Sequence, residues 1–314
     1  MALSLPEPIS TFDLTMQDGA VLRVRQHGVP AGPRLVLSHG NGLASDGYLP
    51  FWEPLCERWE VVLVDVRNHG QNPTHELSGH QWNNFASDME SFRLGLEAKL
   101  GHKPSVGVFH SLSAVASLEH ALRHGAAWKA LVLVDPPIAP PEGHPLRQDH
   151  IDDMTEMTGR ASRRPARYRS PGMLEFQLRA GREFQGWVEG AHRLLAKTTL
   201  RYDADADDYP LACPREFEAH VFASNMDPTI WERAGDIEMP VMVLGADPDF
   251  ALARPASRIG RSLAEAHDWA YACVPGTSHF LQIEQPEAAI AAIEDFLETQ
   301  RMAEGTDAQW PSPR

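Results

Sequence analysis

Ser105-Val106-Gly107-Val108-Phe109-His110-Ser111-Leu112-Ser113-Ala114-Val115-Ala116 is the stretch on which the reading of this chain turns. Its first half is a short apolar run of strand-forming residues. It then breaks into small residues and continues as Ser117-Leu118-Glu119-His120-Ala121-Leu122, with apolar side chains at 112, 115, 118 and 122, the spacing of a helix face. A strand that turns within two residues into a helix, with a serine at the corner, lifts the Ser111 hydroxyl clear of a sheet. The helix N-terminus behind it offers free backbone N–H groups and a positive dipole end to an oxyanion.

Working outward, further apolar runs alternate with helical stretches. Residues 9–28 read as two strands around Gln17-Asp18-Gly19, and Arg34-Leu35-Val36-Leu37-Ser38 as a buried strand that ends in His39-Gly40-Asn41-Gly42. Residues 47–58 read as a helix. The strand Glu60-Val61-Val62-Leu63-Val64-Asp65 runs into the polar turn Asp65-Val66-Arg67-Asn68-His69-Gly70, and a helix is predicted over 82–100. Lys129-Ala130-Leu131-Val132-Leu133-Val134-Asp135 is the strand after the opening stretch, closed by Pro136-Pro137. Fully apolar strands alternating with helices predict a mostly parallel, doubly wound α/β sheet covered on both faces.

From Ile138 to about Asp236 no strand is evident, and helical pieces such as 172–184 and 186–200 stand among prolines and arginines. Such an insertion is expected to lie over the carboxyl ends of the strands, where these sheets bind ligands. Strand character returns at Pro240-Val241-Met242-Val243-Leu244-Gly245, followed by the acidic turn Ala246-Asp247-Pro248-Asp249. It returns again near Ala270–Val274, ahead of Pro275-Gly276-Thr277-Ser278-His279-Phe280. A last helix is predicted over roughly 286–303, and the tail from Glu304 reads as a disordered end. The expected division is therefore a core of 1–137 and 237–303, a helical cap of 138–236 and a tail of 304–314.

Composition narrows the partners. The 314 residues carry a formal net charge of -15, which argues against nucleic acid and an anionic membrane surface. Cys56, Cys213 and Cys273 lie far apart with no CxxC spacing, so neither a disulfide framework nor a zinc site is suggested. The N-terminus lacks a signal peptide's basic start and apolar core, and no run is long enough to span a bilayer, so the cytoplasm is the expected location. No nucleotide-binding GxGxxG is present and no cofactor is expected.

Four features fall at the carboxyl ends of successive predicted strands: a glycine-rich turn, a serine corner, an acidic loop and a late histidine. His39-Gly40-Asn41-Gly42, Asp65-Val66-Arg67-Asn68-His69-Gly70, His110-Ser111-Leu112-Ser113 and Gly276-Thr277-Ser278-His279-Phe280 resemble the signature blocks of the α/β-hydrolase superfamily, over roughly residues 10–137 and 237–303. The resemblance implies Ser111 as nucleophile, His279 as its base, and the backbone N–H groups of Asn41 and Leu112 as an oxyanion site. It puts the third member, a carboxylate, in the loop after residues 241–245. There Asp249 is the first choice and Asp247 the second, with Asp135 a third candidate that reads equally as turn chemistry. The sequence departs from the family's Gly-x-Ser-x-Gly corner, because Phe109 and Ser113 stand at the flanking positions.

The expected function is a serine hydrolase cleaving a carboxylic ester of a small, largely apolar substrate through an acyl-enzyme. The alternatives are hydrolysis of a carbon–carbon bond in a diketone-like or ring-cleavage product, and a non-catalytic ligand-binding protein on the same fold. Arg160, Arg163, Arg164, Arg167 and Arg169 read as a surface stripe, although they could greet a carboxylate-bearing substrate. His144, Asp149, His150, Asp152 and Asp153 lack a metal-ligand spacing, and Asp203, Asp205, Asp207 and Asp208 read as a solvated loop. Trp52, Trp82, Met154, Met157, Phe176, Trp187 and Phe222 could line a pocket, and most read as core.

Overall fold

Runs of valine and leucine, which fit a pleated surface buried on both sides, become the central strands. The computed structural model describes residues 3–304. In chain order, β1 (Ser10–Thr15) and β2 (Val21–Gly28) form a hairpin, followed by β3 (Arg34–Ser38), α1 (Leu49–Trp52), β4 (Glu60–Val64), α2 (Trp82–Leu100), β5 (Ser105–His110), α3 (Leu112–His124) and β6 (Ala130–Val134). The next segment carries α4 (Arg147–Arg163), β7 (Arg167–Tyr168), α5 (Pro171–Ala180), α6 (Ala191–Thr198), β8 (Tyr209–Pro210), α7 (Arg215–Ser224) and α8 (Thr229–Arg233). The chain closes with β9 (Val241–Ala246), α9 (Pro255–His267), β10 (Ala270–Val274), α10 (Leu281–Glu284) and α11 (Pro286–Glu304).

Eight strands form one sheet in the order β1-β2-β4-β3-β5-β6-β9-β10. The first two pairings, β1 with β2 and β2 with β4, are antiparallel, and all the others are parallel. Alternate residues of each strand feed opposite cores. Leu35, Leu63, Val108 and Val132 face α1, α5, α6, α10 and α11. Val36, Val62, Phe109 and Leu133 face α2, α3, α8 and α9.

The sheet grows from β3 toward β4 and, in the other direction, from β5 toward β10. The loops after β3 and β5 therefore diverge at a switch point, the crevice where such sheets bind ligands. Those loops are His39–Gly42 and the Ser111 corner.

Three expectations need correcting. The helix over 47–58 is broken into a 3₁₀ turn at Ser45–Tyr48, the four residues of α1, and a second 3₁₀ turn at Pro54–Glu57. Pro50 and Pro54 lack the N–H that a continuous helix needs, which accounts for the breaks. The piece expected over 186–200 forms regular helix only from Ala191, after Gly190 at φ 87°. The segment expected to lack strands contains the two-residue ribbon β7–β8, which gathers α5 and α6 between its arms. Part of the tail reading, residues 305–314, lies outside the described residues, whereas Glu304 ends α11. Among the described residues no helix is long and apolar enough to cross a membrane.

Candidate active site

Ser111 sits between the end of β5 and the start of α3 at φ 52°, ψ −110°, a conformation that L-residues rarely adopt. Its own N–H is anchored to Val134 O of the neighbouring strand at 3.0 Å, which holds the corner in register with β6. Ser113 is fully buried, and its hydroxyl lies 3.0 Å from both the amide nitrogen and the carbonyl oxygen of His110. Ser113 thus braces the turn, and Ser111 is the serine presented to the cavity.

Phe109 is accommodated through a neighbour. It is buried, packs edge-to-face on Trp128 at 5.3 Å, and shares its face of β5 with Gly107. A Cβ on Gly107 would meet Phe109 Cε2 at 2.3 Å, so the glycine two residues upstream gives the ring its space.

His279, in the loop after β10, places Nε2 3.0 Å from Ser111 Oγ and Nδ1 2.6 Å from Asp135 Oδ2. All three side chains are buried. Asp135 follows β6 immediately and takes φ 43°, which turns its carboxylate toward the histidine, while Oδ1 accepts the Ala246 N–H at 3.1 Å. The expectation for the acid is thereby corrected: neither Asp249 nor Asp247 reaches His279. Asp247 accepts from Gly276 N–H at 2.8 Å and from Asp249 N–H at 3.0 Å, so it ties the β9 loop to the loop that carries the histidine. Asp249 is exposed.

Burial pushes His279 well below the ordinary imidazole range, and the nearby Arg254 charge pushes it the same way. Burial raises Asp135. At neutral pH this pairs a neutral imidazole with an ionised carboxylate, so Nδ1–H donates to Asp135 and Nε2 is left to accept from the serine.

The loop after β3 folds so that one amide is left over. Gly40 N–H donates to Tyr48 Oη at 3.3 Å and Gly42 N–H to His69 Nε2 at 3.0 Å, whereas Asn41 N–H has no partner among the described residues. Gly40 must be glycine, because a Cβ there would lie 2.9 Å from His110 Nδ1 and 3.2 Å from Ser111 Cβ. His39 accepts Val66 N–H at Nε2 and donates from Nδ1 to Gly40 O, and His69 donates from Nδ1 to Arg67 O. The polar turn after β4 is thus scaffolding for the β3 loop. Leu112, first residue of α3, has an N–H that no intrahelical carbonyl can reach.

A further bridge joins these parts. His110 Nε2 lies 2.9 Å from His279 O, an oxygen that can only accept, so Nε2 carries the proton and Nδ1 accepts from the Tyr48 hydroxyl at 2.7 Å. One path of hydrogen bonds therefore runs from Gly40 through Tyr48 and His110 to the backbone of His279. Nothing in the sequence patterns singles out Tyr48, whose partners lie 8 and 62 residues away.

Ser111, His110, His279 and Gly40–Leu43 form the floor of a cavity of about 280 Å³. The segment between β6 and β9 supplies apolar walls that include Met157, Leu174, Leu178, Phe184 and Phe222. Arg160, Arg164 and Arg254 also line it. The surface-stripe reading therefore fails for Arg164, which caps α4 and reaches the cavity, whereas Arg160 near the end of α4 is exposed and also lines the cavity. The stripe reading fits Arg167, which pairs outside with Asp203 and Asp208.

Of the other residues considered, Phe176 is 74% exposed, Trp52 belongs to the core, and Asp149 and Asp153 pair with Arg258 and Arg254. The ligand atoms of His69, His80 and Cys213 lie within 4.8 Å of one another. Both nitrogens of His69 are already hydrogen-bonded and burial holds the Cys213 thiol protonated, so the group reads as packed scaffold.

The sequence model of the alpha/beta hydrolase family matches residues 35–293. A 2-(acetamidomethylene)succinate hydrolase of Mesorhizobium japonicum is 23% identical over 286 residues, spanning 88% of this chain and 91% of the relative. Among solved structures, E-2-(acetamidomethylene)succinate hydrolase superposes with a TM-score of 0.73 at 20% identity, covering 92% of this chain and 99% of that one. The esterase RhEst1 from Rhodococcus sp. ECU1013 gives a TM-score of 0.70 at 20% identity, covering 93% and 99%.

Proposed function

The chain belongs to the alpha/beta hydrolase family, and from that premise we propose that it is a serine hydrolase working through an acyl-enzyme, with a carboxylic ester of a small molecule as substrate. The observation that carries the reading is the buried line from Ser111 Oγ through His279 to Asp135, with steps of 3.0 and 2.6 Å, at the floor of a closed-in cavity. His279 removes the Ser111 proton as Oγ attacks the substrate carbonyl, and Asp135 holds the imidazole tautomer and stabilises the imidazolium. The amides of Asn41 and Leu112 take the negative charge of the tetrahedral intermediate, a role in which one lost donor costs on the order of 3 kcal/mol. His279 then protonates the leaving group, and water, activated by the same histidine, releases the acyl product. The helical segment 138–236 acts as the cap that selects substrates, no cofactor takes part, and the cytoplasm is the proposed compartment.

A second reading, hydrolysis of a carbon–carbon bond in a diketone-like or ring-cleavage product, uses the same residues. It is comparably supported, because the relative from M. japonicum is named for a substituted succinate and not for an ester. The test common to both is a fluorophosphonate probe followed by peptide mapping. A single adduct on Ser111, absent in Ser111→Ala, is expected, together with turnover of an activated ester that Ser111→Ala abolishes. An adduct on Ser113, or no adduct on folded protein, overturns the assignment and leaves the non-catalytic reading.

A further inference from the structure

The cavity over Ser111 is lined by three guanidinium groups and a single carboxylate, Glu218, in a chain whose formal net charge is -15. Each arginine is held by an acid. Arg164 Nη1 lies 2.6 Å from Glu218 Oε2, Arg254 grips Asp153 through Nε and Nη2 at 3.2 and 2.8 Å, and Arg160 pairs with Glu183. Asp153 and Glu183 are not among the residues lining the cavity, so they hold their arginines from outside its lining. An arginine has five N–H donors in a planar fork, and a carboxylate partner occupies two at most. Arg254 therefore keeps Nη1 free of Asp153, and Arg164, with Glu218 on Nη1 and Tyr168 as a second hydrogen-bond partner, still has more donors than these two acceptors use.

We infer that the substrate carries a free carboxylate apart from the bond that is cleaved, and that Arg164 and Arg254 bind this carboxylate, with the more exposed Arg160 drawing the anion inward. The inference rests on the hydrolase reading above and names its substrate class.

Two features separate this from plain stapling of one element to another. A staple is indifferent to where its guanidinium points, yet these three converge on the one cavity that contains Ser111 and His279. The three guanidinium groups and their three acids balance in charge, so the site offers directed N–H donors and no net positive charge, which suits one carboxylate better than a multiply charged phosphate. A bound carboxylate would also offset the Arg254 charge that helps hold His279 low, so a substrate of this class strengthens its own general base.

The test compares two esters with one leaving group, 4-nitrophenyl acetate and the 4-nitrophenyl monoester of succinate. Wild-type enzyme is expected to favour the succinate monoester in kcat/KM by about 10- to 100-fold, the range of a buried charge-assisted pair. Arg164→Gln and Arg254→Gln should each lower that ratio about tenfold or more, through KM of the anionic ester. Arg258→Gln, which removes an exposed pair with Asp149 outside the cavity, serves as the control and should leave the ratio unchanged.

A wild-type ratio at or below unity overturns the inference, as does a ratio unaffected in both cavity variants. Should Arg254→Gln fail to fold, Arg254→Lys keeps the charge and loses the fork, and it must still lower the ratio. Calorimetry on Ser111→Ala with monomethyl and dimethyl succinate reads recognition without turnover. Selective binding of the monomethyl ester that disappears on adding Arg164→Gln supports the inference even if Ser111 proves unreactive to the fluorophosphonate. Equal binding of the two, or none, defeats it whatever the probe shows.

Discussion

Asp135 and Asp249 differ in a way that one residue's surroundings explain. Asp135 is enclosed, lies one residue past the strand that borders the serine strand, and has its backbone turned by a positive φ. Replacing it with asparagine is expected to preserve the fold and lower kcat by about 10³- to 10⁴-fold, since the amide would favour the wrong tautomer of His279. Asp249→Asn should stay within about twofold of wild type, as for an exposed position without partners of this kind. Steady-state kinetics with circular dichroism on both variants checks the pair, and the reverse order would restore the acidic loop as the source of the acid. The pairing of Ser111 with His279 was legible from strand-end position together with the family resemblance, and the structure brings the two side chains to 3.0 Å. The carboxylate that meets His279 was not, because an aspartate closing a strand before Pro136-Pro137 looks like ordinary turn chemistry, and only the β5–β6 pairing reveals that it neighbours the serine. The glycine that the serine corner needs was also hard to read, since Gly107 relieves crowding by Phe109 from two residues upstream on the same face.

At the level of elements, the site is an agreement among three loops that Tyr48 helps enforce from a 3₁₀ turn. The central strands β3, β4, β5, β6 and β9 were legible almost residue for residue, because continuous apolar runs have one stable placement in a doubly covered sheet, whereas the short ribbon β7–β8 was not. The pieces around Pro50 and Pro54 were not, although they deliver Tyr48 to the path between Gly40 and His110. Tyr48→Phe leaves the Gly40 N–H and His110 Nδ1 without their shared partner inside a dry region. Stability should fall by about 1–3 kcal/mol in denaturant titrations. Because the groups it links lie beneath the nucleophile and the β3 loop, kcat should fall about tenfold while KM changes little. A purely structural role would leave kcat of the folded fraction untouched, and that result would remove Tyr48 from the positioning of the site.

For the molecule as a whole, histidine burial sets the response to acid. Ten of the fifteen histidines are held below the ordinary value of 6.5, His27 at about 4 and His80 at about 3 among them, with burial as the leading cause in each. In the unfolded chain these groups take up protons as pH drops below 6.5, while the native protein resists doing so. For each of the nine that are buried, all but His144, the unfolded state is therefore favoured by up to about 1.4 kcal/mol per pH unit until the native pKa is reached. Tm should be nearly level from pH 8 to 7 and fall steeply between 6.5 and 4.5, with proton uptake on unfolding measurable by calorimetry in buffers of different ionisation enthalpy. A Tm unchanged at pH 5 would show that the buried imidazoles are already charged in the native fold.

The hydrogen bonds that His279 makes to Ser111 and Asp135 reach back across 168 and 144 residues. During synthesis the serine corner and the aspartate leave the ribosome long before their histidine exists. On the function proposed above, the growing chain carries an unarmed nucleophile through most of its translation, because the base proposed for it lies 168 residues further on. On the same reading a chain halted before residue 279 lacks its general base, so the order of residues along the message withholds the chemistry until the chain is nearly complete.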